Sequence, residues 1–412
     1  MMKHEQEKEQ NMIRRQADRQ EVRLAGGWDG KERNGEAAFG ALEMEFLAEI
    51  SALILKNRTM SEEEKAFGFW CRKRHLQSLA ESYKGKTGVG RGMILHIAAS
   101  NVPLLFAYSF AYGLLTGNGN AVRISGKVAE ETKSLLLLFE YILKKEKYRA
   151  IYKRNLFFVC DHQAEFLKHC ASVCDGQMVW GGDQAVKEMR KLDTPPGILR
   201  MEFADRCALA ILDGEAVENM TTEERKVLAH RFYNDTYRMD QNACSSPGLV
   251  LWLNQTESAK KLFWNQVAAV AKEYELDAWK VSRKYEQLCL KAMRIPEICR
   301  VKNYGNRVYI LELDRRPEAL ESVCKGIFGT FFEYDLENLE EAAEWIMKKT
   351  QTIVCGGVES QTVTQSLIRQ QKGCVDRVVP MGQALAMERK WDGYDLFGTL
   401  AKQVEAETVC IE

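Results

Sequence analysis

The sequence has 412 residues, of which 46% are hydrophobic and 28% charged, as is typical of a soluble globular protein with two domains. Its 58 lysines and arginines balance its 58 aspartates and glutamates, so charge gives no indication of a nucleic-acid partner. The 12 cysteines lack the spacing of a disulfide framework, and Met1–Arg23 lacks the apolar core of a secretory signal. We therefore expect reduced thiols and a cytoplasmic location.

Helices dominate the first eighty residues, and strands then alternate with helices. An apolar stripe covers Ala41–Leu55, and Ser61 is placed to cap a second helix. The longest apolar stretch, Val102–Leu115, is too short to cross a bilayer and predicts a buried helix. The other predicted elements of this half are the strands Met93–Ala98, Ala121–Ser125, Leu156–Cys160 and Gln177–Trp180 and the helices Glu130–Lys145, Ala164–Cys170 and Gln184–Lys191. This alternation predicts βαβ units and a parallel sheet.

A second region of the same character starts near Cys207. Its predicted elements are the strands Ala208–Leu212, Leu249–Trp252, Val308–Leu313, Gly329–Tyr334 and Thr352–Cys355 and the helices Glu223–Tyr237, Glu257–Tyr274 and Glu337–Lys348. The charges of the last helix predict a solvated face. No linker separates the halves, so we expect two α/β domains with the active site in the cleft between them. The predicted boundaries are 1–206, 207–376 and a C-terminal segment, 377–412, that returns to the first domain or makes an oligomer contact.

Two glycine patterns are candidates for a dinucleotide site. The glycines at 88, 90 and 92 precede a strand, whereas the dinucleotide fingerprint follows one, so they fail as that motif. Gly181 and Gly182 are better placed, because a strand ends there and a helix begins, and backbone N–H groups at such a turn face a pyrophosphate. Two glycines occur in many tight turns, so this pattern alone favours a structural role.

Several histidines and cysteines raise the question of a metal site. His96 lies inside a predicted strand, which favours a packed histidine over a ligand. Cys170 and Cys174 have His162 and His169 nearby, but no second ligand cluster completes a tetrahedral site. We therefore predict core thiols and no metal.

Cys244 differs from the other cysteines in its surroundings. Small and polar residues flank it, and Pro247 and Gly248 follow, which predicts an irregular turn ahead of a strand. A thiol in such a turn is accessible, and we expect nearby helix N–H groups to lower its pKa toward the reactive thiolate.

Taken together, these segments resemble the aldehyde dehydrogenase superfamily and, within it, the LuxC-type acyl-CoA reductases, over about Gly92 to Leu396. The segments that carry the resemblance are Ala99–Leu104, Gly119–Ser125, Val179–Asp183, Glu202–Arg206, Gln241–Cys244, Ile327–Thr330, Val375–Leu385 and Trp391–Leu396. The last two look specifically like the C-terminus of the LuxC family.

The resemblance implies an aldehyde dehydrogenase-like fold and assigns roles to individual residues. Cys244 is implied to be the nucleophile, and the amide of Asn101 to contribute to the oxyanion hole together with the backbone N–H of Cys244. The implied cofactor-binding residues are Ser100, Arg123, Ser125, Lys127, Gly181 and Gly182. Cations at 123 and 127 favour a 2′-phosphate, so the expected cofactor is NADPH, with NADH as the alternative.

Three positions depart from the superfamily's pattern. Gly326 stands where a glutamate usually holds the nicotinamide ribose, and Ser125 stands in the usual lysine position. Glu202 matches the glutamate that activates water in hydrolytic aldehyde dehydrogenases, a reaction that a reductase must avoid. Here Glu202 is either a general acid/base for the thiol or a plain strand-end residue, and the sequence leaves both open. Asp205 and Arg206 are predicted to be structural.

The implied activity is reduction of an acyl thioester, such as a long-chain acyl-CoA, to an aldehyde through an acyl-enzyme on Cys244. The alternatives are a hydrolytic aldehyde dehydrogenase, a non-catalytic subunit that docks an acyl-activating partner, and a cysteine hydrolase. The resemblance also implies a homo-oligomer that works beside an acyl-protein synthetase and receives its acyl group from CoA or from that protein. Phe106, Phe110 and Trp180 are candidates to line an acyl tunnel, although aromatic residues at helical spacing usually belong to the core.

Overall fold

The computed structural model describes residues 22–83 and 88–403, so the charged stretch before residue 22 lies outside the described part. The chain forms two compact units. Within the described residues, the first unit is 22–83 and 88–204 with 394–403, and the second is Asp205–Gly393.

The first unit is built on a six-stranded sheet. Its strands in chain order, with one short strand outside the sheet, are β1 (Val22–Gly26), β2 (Gly88–Gly90), β3 (Met93–Ile97), β4 (Gly119–Arg123), β5 (Asn155–Val159), β6 (Gly176–Trp180) and β7 (Leu199–Phe203). The sheet order is β1-β5-β4-β3-β6-β7, with β1 antiparallel and the rest parallel. Counted from β3, the parallel strands follow the order 3-2-1-4-5, which is that of the dinucleotide-binding doubly wound fold.

Helices pack on this sheet and on one another through their buried apolar residues. They are α1 (Ala41–Lys56), α2 (Glu62–Trp70), α3 (Lys73–Ser82), α4 (Leu105–Leu115), α5 (Gly126–Glu131), α6 (Lys133–Leu143), α7 (Arg149–Arg154), α8 (Glu165–Ser172) and α9 (Asp183–Arg190). Ser61 and Glu64 form a capping box at the start of α2, so the predicted cap is confirmed. Among the described residues, no helix is both long and apolar enough to span a membrane.

The second unit is built on a seven-stranded sheet. Its strands, with one short strand outside the sheet, are β8 (Cys207–Asp213), β9 (Pro247–Leu253), β10 (Ile298–Tyr304), β11 (Val308–Leu313), β12 (Thr330–Asp335), β13 (Thr350–Gly356), β14 (Arg377–Pro380) and β15 (Lys390–Trp391). The sheet order is β10-β11-β12-β9-β8-β13-β14, and only β10 runs antiparallel to its neighbour. The expected α/β architecture with mostly parallel sheets is thereby confirmed.

Helices and a large aromatic core complete the second unit. The helices are α10 (Gly214–Asn219), α11 (Thr222–Thr236), α12 (Glu257–Val270), α13 (Ala278–Arg294), α14 (Glu321–Cys324) and α15 (Ser360–Arg369). Phe232, Trp264 and Phe331 are buried between α11, α12 and the sheet, with ring centroids 5.1 to 5.8 Å apart. After residue 393 the chain adds β16 (Tyr394–Asp395), α16 (Leu396–Leu400) and β17 (Ala401–Gln403) to the first unit, where β17 pairs with β2.

Two predicted helices differ from the structure. The helix expected over Glu130–Lys145 is divided at Thr132, whose hydroxyl donates 2.7 Å back to the carbonyl of Val128 and whose ψ of 20° leaves the helical region. The helix expected over Glu337–Lys348 is wrong. Only a short 3₁₀ segment, Glu340–Trp345, forms there, because Trp345 turns inward to contact Tyr334 and the chain must then extend into β13. The expected solvation of its charges is confirmed, since Glu337, Glu340 and Glu344 are exposed while the apolar Ala342, Ala343 and Trp345 are buried.

Candidate active site

Candidate catalytic residues of the second unit gather at the amino edge of its sheet. Strands β9, β8, β13 and β14 are adjacent and parallel, so their first residues lie along one edge. Cys244 precedes β9, Arg206 precedes β8, and Asp376 precedes β14. Residues far apart in the chain therefore meet there, whereas ligands of open parallel sheets usually bind at the carboxyl edge.

Cys244 lies in an irregular loop between a 3₁₀ turn, Tyr237–Met239, and β9, as predicted. The loop turns sharply because Asp240 and Gln241 have φ values of 52° and 62°. The Cys244 side chain is half-buried, and its loop runs beside Arg206, because β9 and β8 are adjacent and parallel. This places a thiol next to Arg206 at the edge of the sheet.

The expected lowering of the Cys244 pKa is wrong for this structure. Burial raises the pKa of the thiol above its ordinary value, since it disfavours the charged thiolate. The N–H of Arg206 and the charge of Lys325 act in the opposite direction, while the carboxyls of Asp392 and Asp205 add to the increase. The expectation failed because no helix begins at this loop, so no row of helix N–H groups faces the sulfur.

The Arg206 side chain is structural, as predicted. Its Nη2 donates 2.5 Å to a carboxylate oxygen of Asp376 and 3.1 Å to the carbonyl of Cys374, and its Nε donates 3.3 Å to the carbonyl of Lys349. The side chain thus connects the segments that precede β13 and β14. Asp205 lies 3.4 Å from the ammonium of Lys325.

Gly326 is explained by its neighbour Gln241. The buried Gln241 amide donates 3.1 Å to the carbonyls of Pro247 and Thr330, and its oxygen accepts 3.0 Å from the N–H of Gly329. A Cβ at position 326 would lie 2.2 Å from both the Gln241 amide nitrogen and the Thr330 carbonyl oxygen. The superfamily's glutamate therefore has no room here, because Gln241 fills its place.

Asp392 is a candidate functional residue that the sequence analysis missed. It begins a tight turn with Gly393, where φ values are 46° and 76°, and Gln351 donates a hydrogen bond from its amide to the Asp392 carboxyl. Burial raises the pKa of that carboxyl to about 7. The Asp-Gly dipeptide signals a tight turn, but nothing in the sequence shows that this carboxyl is buried.

The first unit places its candidate cofactor residues where the strand order reverses. Chain connections leave β3 and β6 in opposite directions, and the crevice at the carboxyl ends of such strands is where doubly wound sheets bind dinucleotides. Ser100 and Asn101 follow β3, and Gly181 and Gly182 follow β6. The structure therefore brings these four predicted residues to one crevice.

The turn at Gly181 and Gly182 fits a pyrophosphate. No side chain caps α9, which begins after Gly182, and a Cβ on Gly181 would lie 2.9 Å from that of Ala185. Glycine at 181 thus lets the chain pack closely on α9, and the N–H groups of the uncapped first helical turn would face an anion placed there.

The residues after β4 have unequal availability for a cofactor. Arg123 is buried, and its Nε and Nη2 donate 3.2 and 3.0 Å to the carbonyl of Cys160. Ser125 caps α5 by accepting 3.2 Å from the N–H of Val128. Lys127 is exposed and lies 3.7 Å from Glu131. Of the three, Lys127 is the cation that an incoming phosphate reaches most easily.

Glu202 lies on β7 in an ion pair with Arg190. The guanidinium donates 2.7 Å from Nε to one carboxylate oxygen, and Nη2 donates to the other. Both oxygens of Glu202 are thus bound, and its interactions are those of a strand-end residue that fastens α9 to the sheet.

The remaining expectations for the first unit concern its core. His96 is fully buried, with ring nitrogens 2.7 Å from the Ser109 hydroxyl and 2.9 Å from the Asn120 amide oxygen, and burial lowers its pKa to about 4. The expected packed histidine is confirmed. Phe106, Phe110 and Trp180 are also buried, and Trp180 stacks 3.7 Å from Phe203, so the core interpretation of these aromatic residues is confirmed. No group of three metal-ligating side chains occurs within residues 22–83 and 88–403.

Comparison with known protein families gives one match. The family model of the acyl-CoA reductases named LuxC matches residues 71–401. This range contains the Asn101 turn, the Gly181 turn, the Cys244 loop and the C-terminal run that ends at Leu396. No curated protein sequence matches the chain.

Solved structures with the same fold are aldehyde dehydrogenases. Lactaldehyde dehydrogenase from Escherichia coli has a TM-score of 0.59 and 13% identity, with 88% of this chain and 83% of that chain covered. Aldehyde dehydrogenase 21 from Physcomitrella patens, solved with the reaction product succinate, has a TM-score of 0.60 and 13% identity. The match covers 89% of this chain and 86% of that chain. Bifunctional proline utilization A has a TM-score of 0.59 and 13% identity. The match covers 88% of this chain but only 42% of that longer chain. Identities this low show the fold alone.

Proposed function

The chain belongs to the LuxC acyl-CoA reductase family, and on that basis we propose that it reduces long-chain acyl thioesters to aldehydes with NADPH through an acyl-enzyme on Cys244. The observation that carries the proposal is the half-buried Cys244 thiol, which lies beside Arg206 at the amino edge of the sheet, inside the family-matched range.

The proposed reaction begins with acyl transfer to the thiol. The Cys244 sulfur attacks the carbonyl carbon of the acyl thioester, the C–S bond to CoA breaks, and the thiol proton leaves with the CoA sulfur. Cysteine suits this step because the acyl-enzyme is again a thioester, which stays electrophilic enough to be reduced. Reduced nicotinamide, when bound, would supply a hydride to the carbonyl carbon of the acyl-enzyme. The C–S bond to Cys244 then breaks, the aldehyde leaves, and the Cys244 sulfur departs as a thiolate that takes up a proton.

Residues of the first unit fit a dinucleotide. The crevice between β3 and β6, the uncapped start of α9 and the close approach at Gly181 provide a site for the pyrophosphate. We propose that Ser100, Gly181 and Gly182 contact the cofactor there. Lys127, with Arg123 and Ser125, would hold the 2′-phosphate, so NADPH should support a higher kcat/KM than NADH.

The product assay tests the proposal directly. Purified protein is incubated with tetradecanoyl-CoA and NADPH, and aldehyde, free CoA and tetradecanoic acid are each quantified. The proposal expects aldehyde and CoA in equal amounts with one NADPH oxidised for each. Acid without nicotinamide consumption would indicate a cysteine hydrolase. In a parallel incubation with tetradecanal and NADP+, formation of acid without CoA would indicate a hydrolytic aldehyde dehydrogenase.

We expect Asn101→Ala to lower kcat for aldehyde formation about a hundredfold to a thousandfold, because one donor to the developing oxyanion is lost. The KM for acyl-CoA should change much less, since the amide acts on the transition state. Steady-state kinetics measure both constants. The exposed Asn303→Ala serves as the control, and an Asn101→Ala enzyme with the control's kcat would remove Asn101 from the proposed mechanism.

We expect Glu202→Gln to retain aldehyde formation within about tenfold of the wild type, because both carboxylate oxygens are bound by Arg190 and are not available as a base. Arg190→Gln breaks the same ion pair from its other side and is the matched control. Equal modest losses in both variants would support the strand-end role. Loss of activity in Glu202→Gln alone would assign Glu202 as the acid/base.

The proposal extends to partners of the enzyme. The family resemblance favours an acyl-protein synthetase as the source of the acyl group, a homo-oligomeric state and a cytoplasmic location. A non-catalytic docking role is the contrasting possibility, in which a complex with the synthetase would keep its activity when Cys244 is removed.

A further inference from the structure

Asp392 and Cys244 are connected through a chain of contacts at the amino edge of the second sheet. Cys244 and Arg206 precede the adjacent parallel strands β9 and β8, and the Arg206 guanidinium binds Asp376. The turn that carries Asp392 packs on the same carboxylate, since a Cβ on Gly393 would lie 3.0 Å from Oδ1 of Asp376. Asp392 is therefore part of the nucleophile's surroundings although the chain separates the two residues widely.

The position of the Asp392 carboxyl is closely determined. The backbone at Asp392 and Gly393 adopts the left-handed conformation and forms a tight turn. The Gln351 amide, fully buried at the start of β13, donates to one carboxyl oxygen. A buried carboxyl held in this way has little freedom to turn toward solvent, so its charge acts on the groups around it at low dielectric.

We propose that Asp392 is a positioning residue for the nucleophile: the charge of its buried carboxyl controls how readily Cys244 loses its thiol proton. This inference rests on the proposed role of Cys244 for its catalytic meaning. An ionised Asp392 opposes the thiolate and keeps the resting sulfur as a thiol, whereas a protonated Asp392 removes that repulsion.

Other charged groups face the two residues and act in known directions. Arg206 and Arg377 favour the Asp392 carboxylate, while Asp376 opposes it. Lys325 favours the Cys244 thiolate, and Asp205 opposes it. Burial raises the pKa of Asp392 to about 7 and raises that of Cys244 above its ordinary range, so the carboxyl ionises first as the pH rises. The thiolate should then form in two steps, as it does in coupled pairs.

Alkylation of Cys244 by iodoacetamide measures this directly, because only the thiolate reacts. The rate is followed from pH 5 to pH 11, and peptide mass spectrometry counts alkylation at Cys244 alone. The wild type is expected to show a minor step near the Asp392 titration and a major step at higher pH. Asp392→Asn should show one step, shifted down by on the order of one pH unit from the wild type's upper step.

Two matched variants separate charge from structure. Asp392→Glu keeps the charge and should return the two-step profile, and the exposed Asp314→Asn removes a carboxylate elsewhere in the unit and should leave the profile unchanged. A single-step wild-type profile overturns the inference, even where Asp392→Asn fails to fold. An unshifted midpoint in folded Asp392→Asn does the same.

The test is independent of the proposed activity. Alkylation reports the ionisation of the thiol whether or not the protein reduces a thioester. The expected shift together with an absence of aldehyde would refute the proposed function and keep the inference. Aldehyde formation with an unshifted Asp392→Asn profile would refute the inference and keep the function.

Discussion

Replacing Cys244 with alanine is expected to lower aldehyde formation from acyl-CoA by at least roughly a thousandfold, because no thiol then remains at that position to form the acyl-enzyme. Wild-type protein incubated with tetradecanoyl-CoA should carry one acyl group on Cys244, and NADPH should remove it. Cys244→Ser should still accept some acyl group as an oxygen ester. It should not form aldehyde, since an oxygen ester is a poorer acceptor for hydride. Intact-mass and peptide mass spectrometry measure the adduct.

The exposed Cys289 provides the control for this prediction. A thiol that is more accessible than Cys244 would be acylated first if the reaction were non-specific. Cys289→Ala should therefore keep full activity and the full adduct at Cys244. An adduct on any other cysteine, or an active Cys244→Ala enzyme, would contradict the assignment of the nucleophile.

Restoring the superfamily's glutamate with Gly326→Glu is expected to prevent folding. Even Gly326→Ala should cost at least about 3 kcal/mol of unfolding free energy, because its Cβ would lie 2.2 Å from a backbone carbonyl and from the Gln241 amide. Displacing Gln241 to relieve the contact would break its three hydrogen bonds in a buried site, each worth about 1 kcal/mol. Denaturant unfolding measures the loss.

Gly373→Ala is the matched control, since a Cβ there meets no atom within 4 Å. It should unfold like the wild type. A Gly326→Ala protein of unchanged stability would show that the Gln241 contact relaxes easily. A folded and more active Gly326→Glu protein would show that the nicotinamide ribose can still be held at this position.

Local patterns predicted most of the secondary structure, because strand and helix periodicity depends on neighbours in the chain. The apolar run before Gly181 predicted a strand of the first sheet, and Ser61 predicted a helix start. The failures have tertiary causes. Trp345 turned a predicted helix into a short 3₁₀ segment by packing on Tyr334, a contact that no local pattern reveals.

Only those parts of the candidate site that belong to local sequence motifs could be predicted. The turn with Cys244 and the glycines at 181 and 182 were recognised from their own surroundings and from the resemblance to a family. Asp392 was not, since its carboxyl gains significance only through Gln351 and the neighbours of Arg206. The role of Gln241 as the residue that excludes a glutamate at 326 was also invisible in the sequence.

The sequence by itself predicted most of the strands and helices, the family, and Cys244 as the candidate nucleophile. The tertiary structure alone decided which groups surround that thiol and in which direction its pKa moves. The physical reason is that the two kinds of interaction act over different distances along the chain. Hydrogen bonding and periodicity act between chain neighbours, whereas burial and charge act through space, and parallel strands bring distant residues such as Arg206 and Asp376 to one edge.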